Sequence, residues 1–237
     1  MKIIIAGYGR MGKLIERTAL ERGHEIAAII DINNASDLEK LDRIADVILD
    51  FSGPALVPQL CAYVQRTGTA LLSGTTGMPE DKLALLKEAG QYAPVIYSGN
   101  YSTGIAVFKE MLEKYAALLL ENFDCEIVET HHNQKVDAPS GTAKLLYEAI
   151  DPDHAYSVAH GREGIVGKRP QKEIGMHSLR GGTVAGTHTV SFFGADETIE
   201  ITHTATSRQI FVNGALNTAV RLIQKPAGYY LLKELLF

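Results

Sequence analysis

The densest chemistry in the chain lies in Glu129-Thr130-His131-His132-Asn133-Gln134-Lys135-Val136-Asp137-Ala138-Pro139-Ser140-Gly141-Thr142-Ala143. Two histidines close an alternating, strand-like run, a lysine follows, and the segment ends on residues that open a helix. A histidine donates a proton near neutral pH, and Lys135 adds a positive charge beside it. A helix beginning Ser140-Gly141-Thr142 offers free N–H groups and a hydroxyl to a carboxylate. The combination suits an anionic substrate that must be held and protonated. Neighbours on a strand point to opposite faces, so one histidine enters the site and the other supports it. Adjacent histidines chelate poorly, and no Cys, His or carboxylate cluster completes a ligand set, so no metal is expected.

A second constellation opens the chain. Gly7-Tyr8-Gly9-Arg10-Met11-Gly12 follows an apolar strand and precedes an amphipathic helix. In such a loop the first glycine allows a tight turn, the second lets backbone approach a pyrophosphate, and the third lets helix and strand pack closely. Asp31, at the end of the next strand, is spaced to accept hydrogen bonds from a ribose and to repel a 2′-phosphate. Ile32, Asn33 and Asn34 supply no arginine to hold that phosphate. The pattern favours NADH and leaves room for NADPH, since Arg10 reaches toward the same ribose. Gly74-Thr75-Thr76-Gly77, after a later strand, is small enough for a nicotinamide ring to lie against backbone.

The elements that must position these groups follow from periodicity. Strands are expected at Lys2–Ala6, Glu25–Asp31, Val47–Phe51, Ala70–Leu72 and Val95–Tyr97, with helices at Met11–Glu21, Ala55–Arg66 and Pro79–Ala89. Pro79 suits the first turn of its helix. This β-α-β rhythm implies a Rossmann-like, doubly wound parallel sheet. The stretch from Ile32 to Asp46 is short.

Beyond residue 101 the pattern changes to a helix at Ser102–Leu120 and a strand at Asp124–His132, with Cys125, Ile127, Glu129 and His131 on one side. Ser140 caps a helix from Gly141 to Ile150. Two strands, Thr187–Phe193 and Thr198–Ala205, precede a helix at Gln209–Ile223. On the second, Thr198, Glu200, Thr202 and Thr204 form a polar face that is solvated or pairs with another subunit. Two domains follow: residues 1–101 with 210–237 for the dinucleotide, and residues 102–209, an α+β domain on a mixed or antiparallel open sheet. Lys168 and Arg169, in a glycine-rich loop, read as solvated surface charges; Arg180 does not.

A net charge of −5 on 237 residues excludes a basic nucleic-acid surface. The apolar run at residues 3–6 ends at Gly7, too soon for a signal peptide or a membrane span. A cytoplasmic location is expected, with Cys61 and Cys125 as reduced core thiols.

The strings GYGRMG, GTTG and ETHHNQKVDAPSGTA, with EIGMHSLRGGTVAGTHTV and THTATSRQIFVNGAL later, resemble the dihydrodipicolinate reductase family nearly end to end. The resemblance implies hydride transfer from NADH or NADPH to a cyclic dicarboxylate, 4-hydroxy-tetrahydrodipicolinate, in lysine and diaminopimelate synthesis. It implies His131 as general acid, Lys135 as its partner in proton donation, and His132, Gly141 and Thr142 as holders of the carboxylates. Gly99, Asn100 and Tyr101 would lie by the nicotinamide at a hinge between domains, which would close to exclude water. A homotetramer built through the second domain's sheet is also implied. Some members carry a basic residue directly after the acidic one, where this chain has Ile32. Two rival readings are a related amino-acid or imine dehydrogenase and a regulator that senses NADH without chemistry. Neither has use for the HH-x-x-K-x-D-A-P-S-G-T string.

Overall fold

The computed structural model describes residues 1–237 and divides into two compact units, Met1–Thr103 with Gln209–Phe237, and Gly104–Arg208. In the first unit the strands are β1 (Lys2–Ala6), β2 (Glu25–Ile30), β3 (Val47–Asp50), β4 (Ala70–Ser73), β5 (Pro94–Tyr97) and, much later, β11 (Gly228–Tyr230). They form one sheet in the order β11-β5-β4-β3-β1-β2, every pair parallel. The helices are α1 (Arg10–Glu21), α2 (Val57–Thr67), α3 (Glu80–Ala89), α6 (Gln209–Leu222) and the short α7 (Leu232–Leu236).

Alternation along β1 shows why this sheet is doubly wound. Ile4 and Ala6 enter a core with Leu60, Val64 and Leu86 of α2 and α3. Ile3 and Ile5 enter the opposite core with Ile15 of α1 and Val212 and Leu216 of α6. A strand buried on both faces must be apolar throughout, and each isoleucine withdrawn from water contributes roughly 1.5–3 kcal/mol. Because β2 and β3 flank β1 on opposite sides, their connections leave in opposite directions and open a crevice at the carboxyl ends of β1 and β3. Gly7 and Phe51-Ser52 sit there.

Two helix expectations need correction. Pro79 is extended (φ −67°, ψ 157°) and stands before α3 as its N-cap, its carbonyl accepting from Lys82 and Leu83. The expected helix from Ala55 is a 3-10 turn, Pro54–Leu56, followed by α2, where Pro58 in the first turn forfeits an N–H that would have no partner. Between β2 and β3 there is only a 3-10 turn, Ala35–Glu39.

The second unit holds α4 (Thr103–Leu119), β6 (Asp124–His131), α5 (Gly141–Ile150), β7 (Ser157–Ala159), β8 (Glu173–Arg180), β9 (Gly186–Phe193) and β10 (Thr198–Ala205). Its sheet is mixed, ordered β10-β9-β6-β8-β7, with β6 parallel to β8 and antiparallel to β9. Strand β8 is absent from the sequence-based expectation. Helices α4 and α5 cover one face with Phe108, Leu112, Leu146 and Ile150. The other face is polar: Thr189 bonds Thr202 at 3.0 Å and Ser191 bonds Glu200 at 2.7 Å.

On that polar face the expectation for Arg169 fails. Its guanidinium reaches Asp124 at 2.8 Å and the Cys125 carbonyl at 3.0 Å. Arg162 reaches Glu126 at 2.8 Å and Glu173 at 2.6 Å. Arg162 and Arg169 therefore tie the glycine-rich loop to carboxylates displayed by β6 and β8. Cys61 and Cys125 are free, buried thiols, and burial pushes both up to about 12. No helix is long and apolar enough to cross a membrane.

Candidate active site

In the first unit the glycine loop has the shape its sequence requires. Gly7 turns with φ +89°, and a Cβ there would meet Ser52 Cα at 2.5 Å. A Cβ on Gly12 would fall 2.0 Å from the Gly7 carbonyl oxygen, so helix α1 starts directly against the turn. Gly9 is the N-cap of α1, makes no side-chain cap and has open space around its Cα. The first-turn amides of α1 therefore face outward with partial positive charge, a fitting cradle for a pyrophosphate. Arg10 is exposed and Met11 half-buried beside it. Asp31 follows β2; its carboxylate accepts from the Asn33 N–H at 2.7 Å, and Asn34 accepts from its own N–H at 2.7 Å. These bonds fix the turn that presents the carboxylate.

The ends of β3 and β4 are stitched together by a group the motifs did not flag. Asp50 is fully buried and accepts from Ser73 Oγ at 2.6 Å, Thr75 Oγ1 at 3.0 Å and the Ser52 N–H at 3.1 Å. Burial pushes its carboxyl up, against the pull of those Ser and Thr donors. Thr75 is thus pinned inward, Gly74 lies under the Phe51 ring, and Thr76 is exposed. Tyr101, buried, donates to the Ser73 carbonyl at 2.8 Å. The Asn100 N–H donates to Ser98 Oγ at 3.2 Å, and Gly99 is exposed between them. The expected cofactor residues of this unit thus gather at the carboxyl edge of its sheet, with small or exposed groups where a dinucleotide needs room.

In the second unit the inner face of the sheet changes character along β6. Cys125 is aligned with Phe192 and Ile174, and Ile127 with Val190 and Met176; Glu129 then aligns with His188 and Ser178, and His131 with Arg180. The apolar rows form the core and the polar rows form the site. Glu129 is fully buried. Arg180 donates two bonds to it, at 2.8 and 2.9 Å, the Ser140 N–H a third at 3.1 Å, and His131 Nδ1 lies 2.5 Å from Oε2. Burial alone would raise that carboxyl, but Arg180, Ser178 and His131 outweigh it and hold it down at about 2.

His131 is nearly buried and closes β6, one residue short of the expected strand end, so the half-buried His132 lies beyond the strand alternation; its N–H donates to the Val184 carbonyl at 2.8 Å. Lys135 is paired with Asp137 at 2.8 and 2.9 Å, which holds the Asp137 carboxyl below its ordinary value. Arg180 also donates to the Asp137 carbonyl at 2.7 Å, anchoring the loop that carries this pair. Ser140 caps α5 by accepting from the Ala143 N–H at 3.1 Å, so Gly141 and Thr142 occupy its first turn. His188 contacts Ser140 Oγ at 3.0 Å and lies edge-on to His131 with ring centroids 5.1 Å apart. Burial, then the charge of His131, lowers His188 to about 4.

The structure thus brings His131, Lys135, Gly141 and Thr142 into one cluster and adds Glu129, Arg180 and His188. Glu129 was legible in the alternation that put it on the His131 face. His188 carried no local signal.

Comparison with known proteins agrees across the whole chain. Family models for the N-terminus and C-terminus of dihydrodipicolinate reductase match residues 1–101 and 104–236. A 4-hydroxy-tetrahydrodipicolinate reductase from an Exiguobacterium species is 42% identical over 99% of this chain and 95% of its own. One from Staphylococcus carnosus is 45% identical over 97% of both. The dipicolinate-bound dihydrodipicolinate reductase of Paenisporosarcina sp. TG-14 has the same fold, with a TM-score of 0.76 at 21% identity over 97% of each chain.

Proposed function

The chain belongs to the dihydrodipicolinate reductase family, and we propose that its second-unit cluster holds and protonates 4-hydroxy-tetrahydrodipicolinate. The protein is a nicotinamide-dependent oxidoreductase that forms tetrahydrodipicolinate on the route to lysine. The reaction consumes one hydride and one proton and releases one water. When bound, the reduced nicotinamide supplies the hydride; Gly7, Gly9, Arg10, Met11 and Gly12 would hold its pyrophosphate side and Asp31 its adenosine ribose. Gly74, Thr75, Thr76, Gly99, Asn100 and Tyr101 would flank the nicotinamide.

The observation that carries the reading is the chemistry gathered around His131. His131 is the proton donor, and Lys135, released from Asp137 by a stronger anion, joins it. His132 and the first turn of α5 at Gly141 and Thr142 take the carboxylates, since that turn has N–H groups to give and a lysine beside it. The two carboxylates orient the ring before reaction, which lowers the barrier by fixing geometry in advance. Asp31 followed by Ile32 favours NADH, with NADPH as second cofactor. The polar face of β9 and β10 is the surface through which copies would pair into a homotetramer. A cytoplasmic enzyme is expected, and none of this chemistry calls for a metal, nucleic acid or membrane.

The test is steady-state oxidation of NADH and NADPH with substrate generated by the preceding synthase from pyruvate and aspartate semialdehyde. Oxidation that requires that substrate supports the reading, and a higher kcat/KM with NADH supports the Asp31 reading. Folded protein that oxidises neither cofactor would overturn it in favour of a sensor or another dehydrogenase.

A further inference from the structure

A fully buried, ionised carboxylate is an expensive core residue, and replacing such a pair with apolar side chains is often neutral or stabilising. Stability alone therefore gives Glu129 little reason to be there. Its bonding does. Oε1 accepts from Arg180 and the Ser140 N–H, and Oε2 accepts from Arg180 and faces His131 Nδ1. An ionised carboxylate only accepts, so the 2.5 Å contact requires a proton on Nδ1. The other ring nitrogen, Nε2, makes no hydrogen bond within the chain and looks across Gly186, where a Cβ would stand 3.0 Å away.

We propose that Glu129, clamped by Arg180 and the Ser140 amide, is a positioning residue that fixes Nδ1–H of His131 and makes Nε2 the atom that gives up the proton. The proposal rests on the reading of His131 as proton donor. In the step, the Nε2–H bond breaks as the proton bonds to the substrate position left electron-rich by hydride addition. The imidazolium ends as the neutral Nδ1–H tautomer and Glu129 remains ionised. The Arg180 fork keeps it so, because protonating Glu129 would leave a guanidinium facing a neutral acid. The charged and titratable groups around the ring are Glu129 on β6, Arg180 on β8, His188 on β9, and the following His132, Lys135 and Asp137. Among them Glu129 alone offers His131 a direct anionic contact, since Asp137 is taken up by Lys135.

The decisive variant is Glu129→Gln, which keeps the shape and removes the charge. The expected result is a fall in kcat of at least about 10-fold, with KM for substrate and cofactor held within about threefold. Glu129→Asp should recover part of the loss. A folded Glu129→Gln enzyme with wild-type kcat overturns the proposal, provided His131→Gln has lost turnover. If His131→Gln keeps full turnover, the donor reading itself fails. Should Glu129→Gln not fold, ring-15N spectra of the wild-type enzyme decide: a His131 signal, identified by its loss in His131→Gln, must show Nδ1–H at neutral pH. An Nε2–H tautomer overturns the proposal.

Discussion

Acid should weaken this protein in two separable steps, and the first belongs to His188. This ring is 4% exposed, its Nδ1 has no hydrogen-bond partner, and His131 stands edge-on beside it. Burial and that neighbour lower it from an ordinary 6.5 to about 4. Between those values the unfolded chain binds a proton that the folded chain refuses, so stability falls as pH drops through the window. The gap corresponds to about 3 kcal/mol, fully lost only below pH 4. Glu129 provides the second step: held at about 2 against an ordinary 4.5, it contributes stability above pH 4.5 that is lost as pH falls toward 2. The assay is unfolding of wild type and His188→Gln in urea from pH 7 to pH 4 at fixed chain concentration. Glutamine retains an acceptor for the Ser140 hydroxyl but does not titrate. The wild type should lose about 3 kcal/mol more than the variant across this range. Parallel stability curves would refute the reasoning, whatever the offset between them.

Gly186→Ala should place a methyl 3.0 Å from His131 Nε2, lowering kcat roughly 10-fold or more while cofactor affinity stays the same. Steady-state kinetics alongside a fluorescence titration with NADH would check it. Gly12→Ala forces a Cβ to within 2.0 Å of the Gly7 carbonyl; the loop must open, costing about 1–3 kcal/mol and at least roughly 10-fold in NADH affinity. Thermal melting and the same titration measure both effects. Ile32→Arg adds a cation beside the Asp31 carboxylate, and the ratio of kcat/KM for NADPH over NADH should rise about 10-fold. An unchanged ratio would locate cofactor choice elsewhere, with Arg10 the next residue to vary.

The first unit was legible in the sequence almost strand by strand, because its information is local. A strand buried on both faces must be an apolar run, and the glycine spacing marks where such a run turns into a helix. The expected strand ends differ from those observed by a single residue, as at Asp31, Phe51 and Ser73. The misses have local causes as well: proline chemistry displaced the starts of α2 and α3, and β11 spans only three residues against β5. In the second unit β8 was missed because Glu173–Arg180 mixes Gly175, His177, Ser178 and Arg180 with apolar residues. It is a strand because it pairs on both sides, with β6 and β7.

What no local pattern could supply is the charge balance of the site. The histidine pair, the lysine and the capped helix lie within fifteen residues, so their shared purpose is readable from spacing. The groups that decide how His131 behaves come from 51 and 48 residues away: Arg180 on Glu129, and His188 on Ser140. They arrive through sheet register, which sets His131 opposite Arg180 and Glu129 opposite His188. The same misjudgement made Arg169 look like a surface charge, since Asp124 lies 45 residues earlier. Which carboxylate an arginine meets is fixed only when the strands are paired. The register is therefore the physical link between the core of this unit and its chemistry. The rows that pack Ile127 against Val190 and Met176 also fix, one row on, which carboxylate meets which ring nitrogen.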